Sequence, residues 1–283
     1  MANVLKLEKQ VTVISALVEG TSVRSIERMT GVHRDTILRL MVRVAESAAA
    51  FSDTTLRDLD CQRIECDEIW AYVAKKQRNV EGDDDRTRVG DQYTFVALDP
   101  DSKLIPCWRV GKRGVQVATD FILDLKSRLR NRVQLSTDGF EPYIAAVRHA
   151  FGDDVDYATI VKSYEETPAG RGRYSPPRIV SVDKQLVVGA PDADLVSTSY
   201  VERQNLTIRM QVRRLTRLTN AFSKKVENLR AAMDLHFTHY NFVRFHKTIR
   251  CTPAMEAGVT DRLWTVQDIA ALLERAEADR RAA

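Results

Sequence analysis

Tyr200-Val201-Glu202-Arg203-Gln204-Asn205-Leu206-Thr207-Ile208-Arg209-Met210-Gln211-Val212-Arg213-Arg214 reads as one helix with two working faces. Val201, Ile208, Val212 and Leu215 recur at helical spacing and predict a buried stripe. Glu202, Arg209 and Arg213 fall at i, i+7 and i+11 and share a second face, about 100° around the helix. An acid among arginines on an exposed face does little for stability. It suits an acid that holds a cation beside arginines that grip phosphates, and it calls for further carboxylates at the ends of strands.

Working outward, the order of elements supplies such strands. Ile64 to Val73 is rich in β-branched and aromatic residues and reads as a strand. Tyr93 to Leu98 and Leu104 to Val110 read as a hairpin around the turn Asp99-Pro100-Asp101-Ser102. Val115 to Leu129 is an amphipathic helix, Val133 to Thr137 a short strand ending at Asp138-Gly139, Glu141 to Phe151 a helix and Tyr157 to Val161 a fifth strand. Three strands, a helix, a strand, a helix and a strand is the order of a ribonuclease H-like fold. Ala169 to Pro177 reads as loop, and Ile179 to Val188 as a β insertion. After the helix at 200–214, a helix over Ser223 to Phe245 and another over Thr265 to Ala276 close the chain.

Ahead of the strands, residues 8–19 read as a helix stopped by Gly20. Ser22 is placed to cap a second helix, Gly31 makes a tight turn, and a third helix carries Ile37, Leu40, Met41 and Val44 inward. Three short helices with a glycine turn before the last form a helix-turn-helix pattern. In that reading Arg34, Thr36 and Arg39 face the major groove and His33 touches a phosphate. The structural alternative is a helical hairpin with no ligand. Ser52 to Asp60 is polar and reads as a linker.

The expected architecture is therefore an α/β catalytic domain of ribonuclease H-like fold, with a mixed five-stranded sheet and flanking helices. An all-α helix-turn-helix domain precedes it and a helical tail follows. The divisions are residues 1–52 for the helix-turn-helix domain, 53–60 for the linker, 61–215 for the catalytic domain with an insertion at 165–195, and 216–283 for the C-terminal helical region.

The 283 residues carry a net charge of +4 and 44% hydrophobic residues, in keeping with a chain that buries a real core. No run of about 18 apolar residues is present, so no membrane span is expected. No charged leader followed by an apolar run opens the sequence, so no secretory signal is expected. Cys61, Cys66, Cys107 and Cys251 form no C-x-x-C pair, which argues against zinc and for reduced thiols in the cytoplasm. Charge is unevenly spread: residues 203–230 hold eight Arg or Lys against one acid, Glu227. Such a run suits a polyanion, the alternative being a solvated helix face.

Asp67, Asp138 and Glu202 are the acids that the fold would gather. Asp67 lies in the first strand, Asp138 directly after the fourth, and Glu202 near the start of the late helix. In a ribonuclease H-like sheet the first and fourth strands are neighbours with that helix across them. Gathered carboxylates repel one another unless a hard cation neutralises them. Two Mg²⁺ ions, about 3.5–4 Å apart, activate a water or a 3′-hydroxyl and stabilise the leaving oxygen of a phosphodiester. Asp67 is expected to bridge both ions, and Asp138 and Glu202 to hold one each, while Arg209 and Arg213 grip nearby phosphates. Glu68 alternates to the opposite face of the sheet and reads as a supporting residue, not a ligand.

Cys66-Asp67-Glu68-Ile69-Trp70, Ser136-Thr137-Asp138-Gly139-Phe140 and Tyr200-Val201-Glu202-Arg203-Gln204-Asn205 resemble the DDE motifs of bacterial insertion-sequence transposases. The nearest resemblance is to the insertion-sequence-one family, and it runs from about residue 8 to residue 258. It includes the tail from His239 to Lys247 and Thr252-Pro253-Ala254. Many members of that family begin with a cysteine zinc finger, which has no counterpart here. The resemblance implies a DNA transposase that binds terminal inverted repeats and performs metal-dependent cleavage and strand transfer with Mg²⁺ or Mn²⁺. Its partners would be double-stranded DNA, both repeats and target, and a second copy in a homodimer or higher oligomer. A cytoplasmic, nucleoid-associated prokaryotic setting follows. The resemblance also brings His246 and Lys247 near the site, where packing beside Tyr240, Phe242 and Phe245 is the alternative. Two rivals are a non-catalytic DNA-binding regulator derived from a transposase and a ribonuclease H-like nuclease acting on hybrids.

Overall fold

A computed structural model describes residues 5–165 and 179–282. Six strands form one sheet: β1 (Arg63–Val73), β2 (Gly90–Leu98), β3 (Trp108–Gly111), β4 (Val133–Asp138), β5 (Val155–Tyr164) and β6 (Ile179–Val188). Their order is β3-β2-β1-β4-β5-β6. The β1–β2, β2–β3 and β5–β6 pairings are antiparallel, and β1–β4 and β4–β5 are parallel. Parallel neighbours need a crossover; α4 (Val115–Arg128) and α5 (Pro142–Phe151) supply the two.

The sheet thus has six strands, not five. The extra one is the stretch read as a β insertion. Its residues are almost all exposed, so no buried alternation marks it, and its place comes from backbone pairing with β5. The loop expected over Ala169 to Pro177 lies outside the described residues.

Alternation along β1 separates two cores. Ile64 and Cys66 face one side, with Phe95 and Ala97 of β2 and the buried stripes of α4 and α5. Ile69, Ala71 and Val73 face the other, with Val96 and Leu98. On that second face lie α6 (Ser199–Gln211) and α7 (Val226–Phe242). A short helix α8 (Pro253–Glu256) and the closing α9 (Val266–Ala282) follow.

The first three helices are α1 (Leu7–Val18), α2 (Val23–Thr30) and α3 (Arg34–Thr55). Ser22 caps α2 by accepting from Ser25 N–H, and Gly31 ends it in the left-handed conformation. The stretch read as a linker is firmly seated. Helix α3 continues to Thr55, Leu56 and Leu59 are buried, and Leu59 N–H donates to the Arg128 carbonyl at 2.9 Å. The alanine-rich run after Val44 favours helix, and it packs on α7, where Ser52 Oγ lies 3.2 Å from Thr238 Oγ1. Val13, Ile14, Ile37 and Val44 share one continuous core with Ile69, Ile208, Phe237 and Ile269.

The helix expected over 200–214 stops at Gln211. Val212 turns out at φ −99°, ψ 98°, and Arg213–Leu215 form a 3₁₀ turn. Val212 and Leu215 are still buried, so the apolar stripe holds although the helix does not. The turn between α1 and α2 meets the helix end here: a Cβ on Gly20 would lie 2.9 Å from the Met210 carbonyl oxygen.

Candidate functional site

The parallel register of β1 on β4 pairs Cys66 with Thr137, so the next residues along, Asp67 and Asp138, stand side by side at the ends of the pairing. One carboxylate oxygen each of Asp67, Glu68 and Asp138 lies within 4.8 Å of the others. Glu68, read as merely supporting, therefore joins the cluster. Its backbone does alternate to the α4–α5 face, but its carboxylate still reaches its neighbours where β4 ends.

Each acid is held. Asp67 Oδ1 accepts from Glu68 N–H at 2.8 Å, and Oδ2 accepts from Asn205 Nδ2 at 2.7 Å. Asp138 Oδ1 accepts from Phe140 N–H at 3.0 Å, closing the turn at Gly139. Arg113 Nε donates to Glu68 Oε1 at 2.5 Å, and Arg113 Nη2 lies 3.6 Å from Asp138 Oδ2. The guanidinium stacks 4.0 Å from the Phe140 ring centre.

Electrostatics mark the same place. Burial first, then the adjacent Glu68 charge with smaller contributions from Asp138 and Glu202, pushes the Asp67 carboxyl up to about 7, against the lowering Glu68 N–H bond. Burial likewise raises Glu68 and Asp138, with Arg113 opposing in both.

Glu202 enters from α6. The buried Glu65 carboxylate accepts the N–H groups of Tyr200 and Val201 at 2.8 and 3.0 Å, capping the first turn of α6 against β1. Glu202, on that turn, accepts from Thr198 Oγ1 at 2.8 Å and forms an ion pair with Lys162 of β5. Its charge bears on Asp67 and Asp138, yet its carboxylate is engaged by Lys162 and stands outside the three-acid cluster.

The donor set is that of a hard cation. Three carboxylates offer only oxygen, and Glu68 Oε2 is buried with no hydrogen-bond partner. No histidine or cysteine belongs to the cluster, and among the described residues no other group of three metal-ligating side chains gathers this closely.

The remaining expected residues lie elsewhere. His33 caps α3, its Nδ1 accepting from Asp35 N–H at 3.3 Å, while Arg34 and Arg39 are exposed and Thr36 is half-buried on the same helix start. Arg39 Nε donates to the Asp35 carbonyl of its own helix at 3.2 Å. Arg213 does not share a helical face with Glu202, because α6 ends at Gln211; Arg209, still within α6 at i+7, does lie on that face. Arg209 is half-buried, 3.4 Å from the Leu215 carbonyl, and Arg213 belongs to the 3₁₀ turn. His246 packs edge-on to Tyr240 at 4.9 Å; burial, then the charges of Arg244 and Lys103, pushes it down to about 4. Lys247 is exposed beside it.

Five residues of the site escaped the sequence reading in these roles: Glu65, Glu68, Arg113, Lys162 and Asn205. Glu65 and Glu68 sit in the strand that carries Asp67, and Asn205 stands at i+3 from Glu202, on the same side of the helix. Arg113 and Lys162 carry no local signal; only the folded sheet brings them in.

No protein-family model matches the chain, and no curated protein matches it. Among solved structures it is similar to the piggyBac transposase in a synaptic complex with hairpin DNA, determined by cryo-electron microscopy. The TM-score is 0.43 at 8% identity, over 94% of this chain and 69% of that one. A likeness at that level assigns neither family nor activity. No helix among the described residues is long and apolar enough to cross a membrane.

Proposed function

We propose that the chain is a DDE-type DNA transposase of an insertion sequence, akin to the insertion-sequence-one family. Its catalytic region is ribonuclease H-like, and Asp67, Asp138 and Glu202 are its acids. One observation carries the reading: Asp67 and Asp138 stand together on parallel neighbours β1 and β4, beneath a helix that brings Glu202 within their electrostatic reach. Mg²⁺ or Mn²⁺, as two ions, fits the all-oxygen donor set, with Glu68 as a further donor within reach. Bound there, such ions activate a water or 3′-hydroxyl and stabilise the leaving oxygen.

The chain's own groups do the positioning. Asn205 orients Asp67, Arg113 bridges Glu68 and Asp138, and Glu65 fixes the turn of α6 that bears Glu202. The exposed start of α3, with His33, Arg34, Thr36 and Arg39, reads the terminal inverted repeat as a helix-turn-helix. Arg209 and Arg213 serve DNA phosphates, and a second copy supports the pairing of two ends. His246 and Lys247 are left as support for the region around Tyr240.

The test joins a labelled, pre-nicked duplex to a target plasmid in Mg²⁺, with Glu202→Gln as control. Joined product from wild type alone supports the reading. Binding without joining, across varied duplexes and with Mn²⁺, would replace it with the second reading, a non-catalytic DNA-binding regulator. The Lys162–Glu202 ion pair favours that second reading, since it engages an acid that catalysis needs.

A further inference from the structure

A cleft of about 880 Å³ opens between the first helices and the chain that follows α6. Arg24 of α2 and Arg34 of α3 line one wall, and Arg213, Arg214 and Lys224 line the other. Among the described residues, none of these five cations forms an ion pair, although eighteen such contacts join other described residues. The one acid in the lining, Asp35, sits 3.7 Å from His33 Nδ1. Arg214, like Arg213 and Thr21, lines both the cleft and a smaller adjoining cavity. Burial pushes its guanidinium down to about 10, and no acid offsets this.

Five like charges facing one cleft repel one another, and an arginine desolvated without a counter-ion costs stability. Such an arrangement fits an anion that supplies the missing charge, and five cations spread over two walls fit a polyanion better than a single ion. The walls are also held in fixed relation, because the α1–α2 turn meets the end of α6 backbone to backbone at Gly20. From Glu202 to Gln211 the helix rises about 14 Å at 1.5 Å per residue. That is about four base pairs at 3.4 Å each along a strand.

We propose that this cleft extends the DNA interface, taking the sugar–phosphate backbone of a duplex between the start of α3 and the end of α6, with the desolvated Arg214 as one of its phosphate contacts. The proposal rests on the DNA-acting reading above and adds Arg24, Arg214 and Lys224 to it.

The experiment measures binding of a labelled random-sequence duplex in the presence of a chelator, across about 50 to about 200 mM salt. Wild type is compared with Arg214→Met and with the exposed double variant Arg24→Ala/Lys224→Ala. The expected result is that Arg214→Met lowers the slope of log affinity against log salt by about 1, and the double variant by about 2. Arg214→Met should keep or raise the thermal midpoint, since it removes an uncompensated charge; if it fails to fold, the double variant alone decides. Unchanged slopes overturn the proposal. So does a thermal shift by inorganic phosphate that Arg214→Met abolishes while duplex binding stays at the wild-type level, which would make this a small-anion site. Because no metal is present, failure of strand transfer leaves this outcome untouched: lowered slopes with no joining would sink the transposase reading and keep the cleft.

Discussion

Lys162 of β5 and Glu202 of α6 form an ion pair across the open end of the sheet, with Thr198 Oγ1 hydrogen-bonded to the same carboxylate oxygen. The lysine thus engages the acid that stands nearest the cluster without belonging to it. An ammonium and a divalent cation would compete for that carboxylate. Exposed pairs of this kind contribute about 0–1 kcal/mol.

Lys162→Met should therefore tighten Mn²⁺ binding about two- to fivefold, measured by isothermal titration calorimetry. Weaker or unchanged affinity would mean that Glu202 is not a ligand.

Mn²⁺ should raise the thermal midpoint of the wild type, because a ligand that binds only the folded chain stabilises it. Asp138→Asn should lose most of that shift and abolish strand transfer, while duplex binding, carried by arginine and lysine contacts to phosphates and not by this acid, is kept. Equal loss of joining and of binding would remove Asp138 from the chemistry.

Glu65 caps α6 from within the sheet, so Glu65→Ala leaves the Tyr200 and Val201 N–H groups without their acceptor. The expected cost is about 1–3 kcal/mol, a fall in thermal midpoint of several degrees. Strand transfer should fall further than stability accounts for at a temperature where the variant is fully folded. A variant as stable as wild type would show that α6 is held by its apolar stripe alone.

Stability should also fall in mild acid. Burial, the leading cause in each, pushes His236 down to about 3, and His239 and His246 down to about 4. In the unfolded chain a histidine titrates near about 6.5. The folded state thus takes up fewer protons, and the contribution, present above about pH 6.5, is lost as pH falls toward 4. Asp67, raised to about 7, and Asp234, raised to about 6, contribute stability as pH falls over the same range and offset part of this loss. The urea midpoint should therefore drop between pH 7 and pH 5 by what the three histidines lose beyond that gain. His236→Leu, which replaces a ring whose two nitrogens have no hydrogen-bond partner, should lessen the drop. An identical drop in that variant would assign the acid sensitivity to other groups.

Gly20→Ala combines two penalties: φ is +75°, and the new Cβ would meet main-chain oxygen of α6. A loss of at least about 1 kcal/mol is expected, read as a lower thermal midpoint. A neutral result would mean that the turn can withdraw from the helix end.

The succession β1 to β5 was legible because alternation and turn residues mark strands locally, whereas the neighbouring of β1 and β4 that brings Asp67 beside Asp138 was expected from the ribonuclease H-like order of elements. What was not legible depended on contacts between distant segments. The continuous spacing of Val201, Ile208, Val212 and Leu215 concealed the end of α6 at Gln211, since burial persists through the 3₁₀ turn. Polar composition over Ser52 to Asp60 hid two leucines that anchor the segment. Strand alternation put Glu68 on the far face, but the twist and the end of β4 let a long side chain return. Lys162 and Arg113 have no pattern of their own.

The contact at Gly20 has a bearing on length. For a protein that reads DNA at one place and breaks it at another, the offset between the two is set by whatever joins the reading and cutting parts. Here the turn between α1 and α2 meets the end of the helix that bears Glu202 main chain against main chain. On the proposed function, such a molecule would act as a gauge of fixed span. An element end lengthened or shortened by one base pair between its recognised sequence and its terminus would be cut at the same offset, and therefore at the wrong bond.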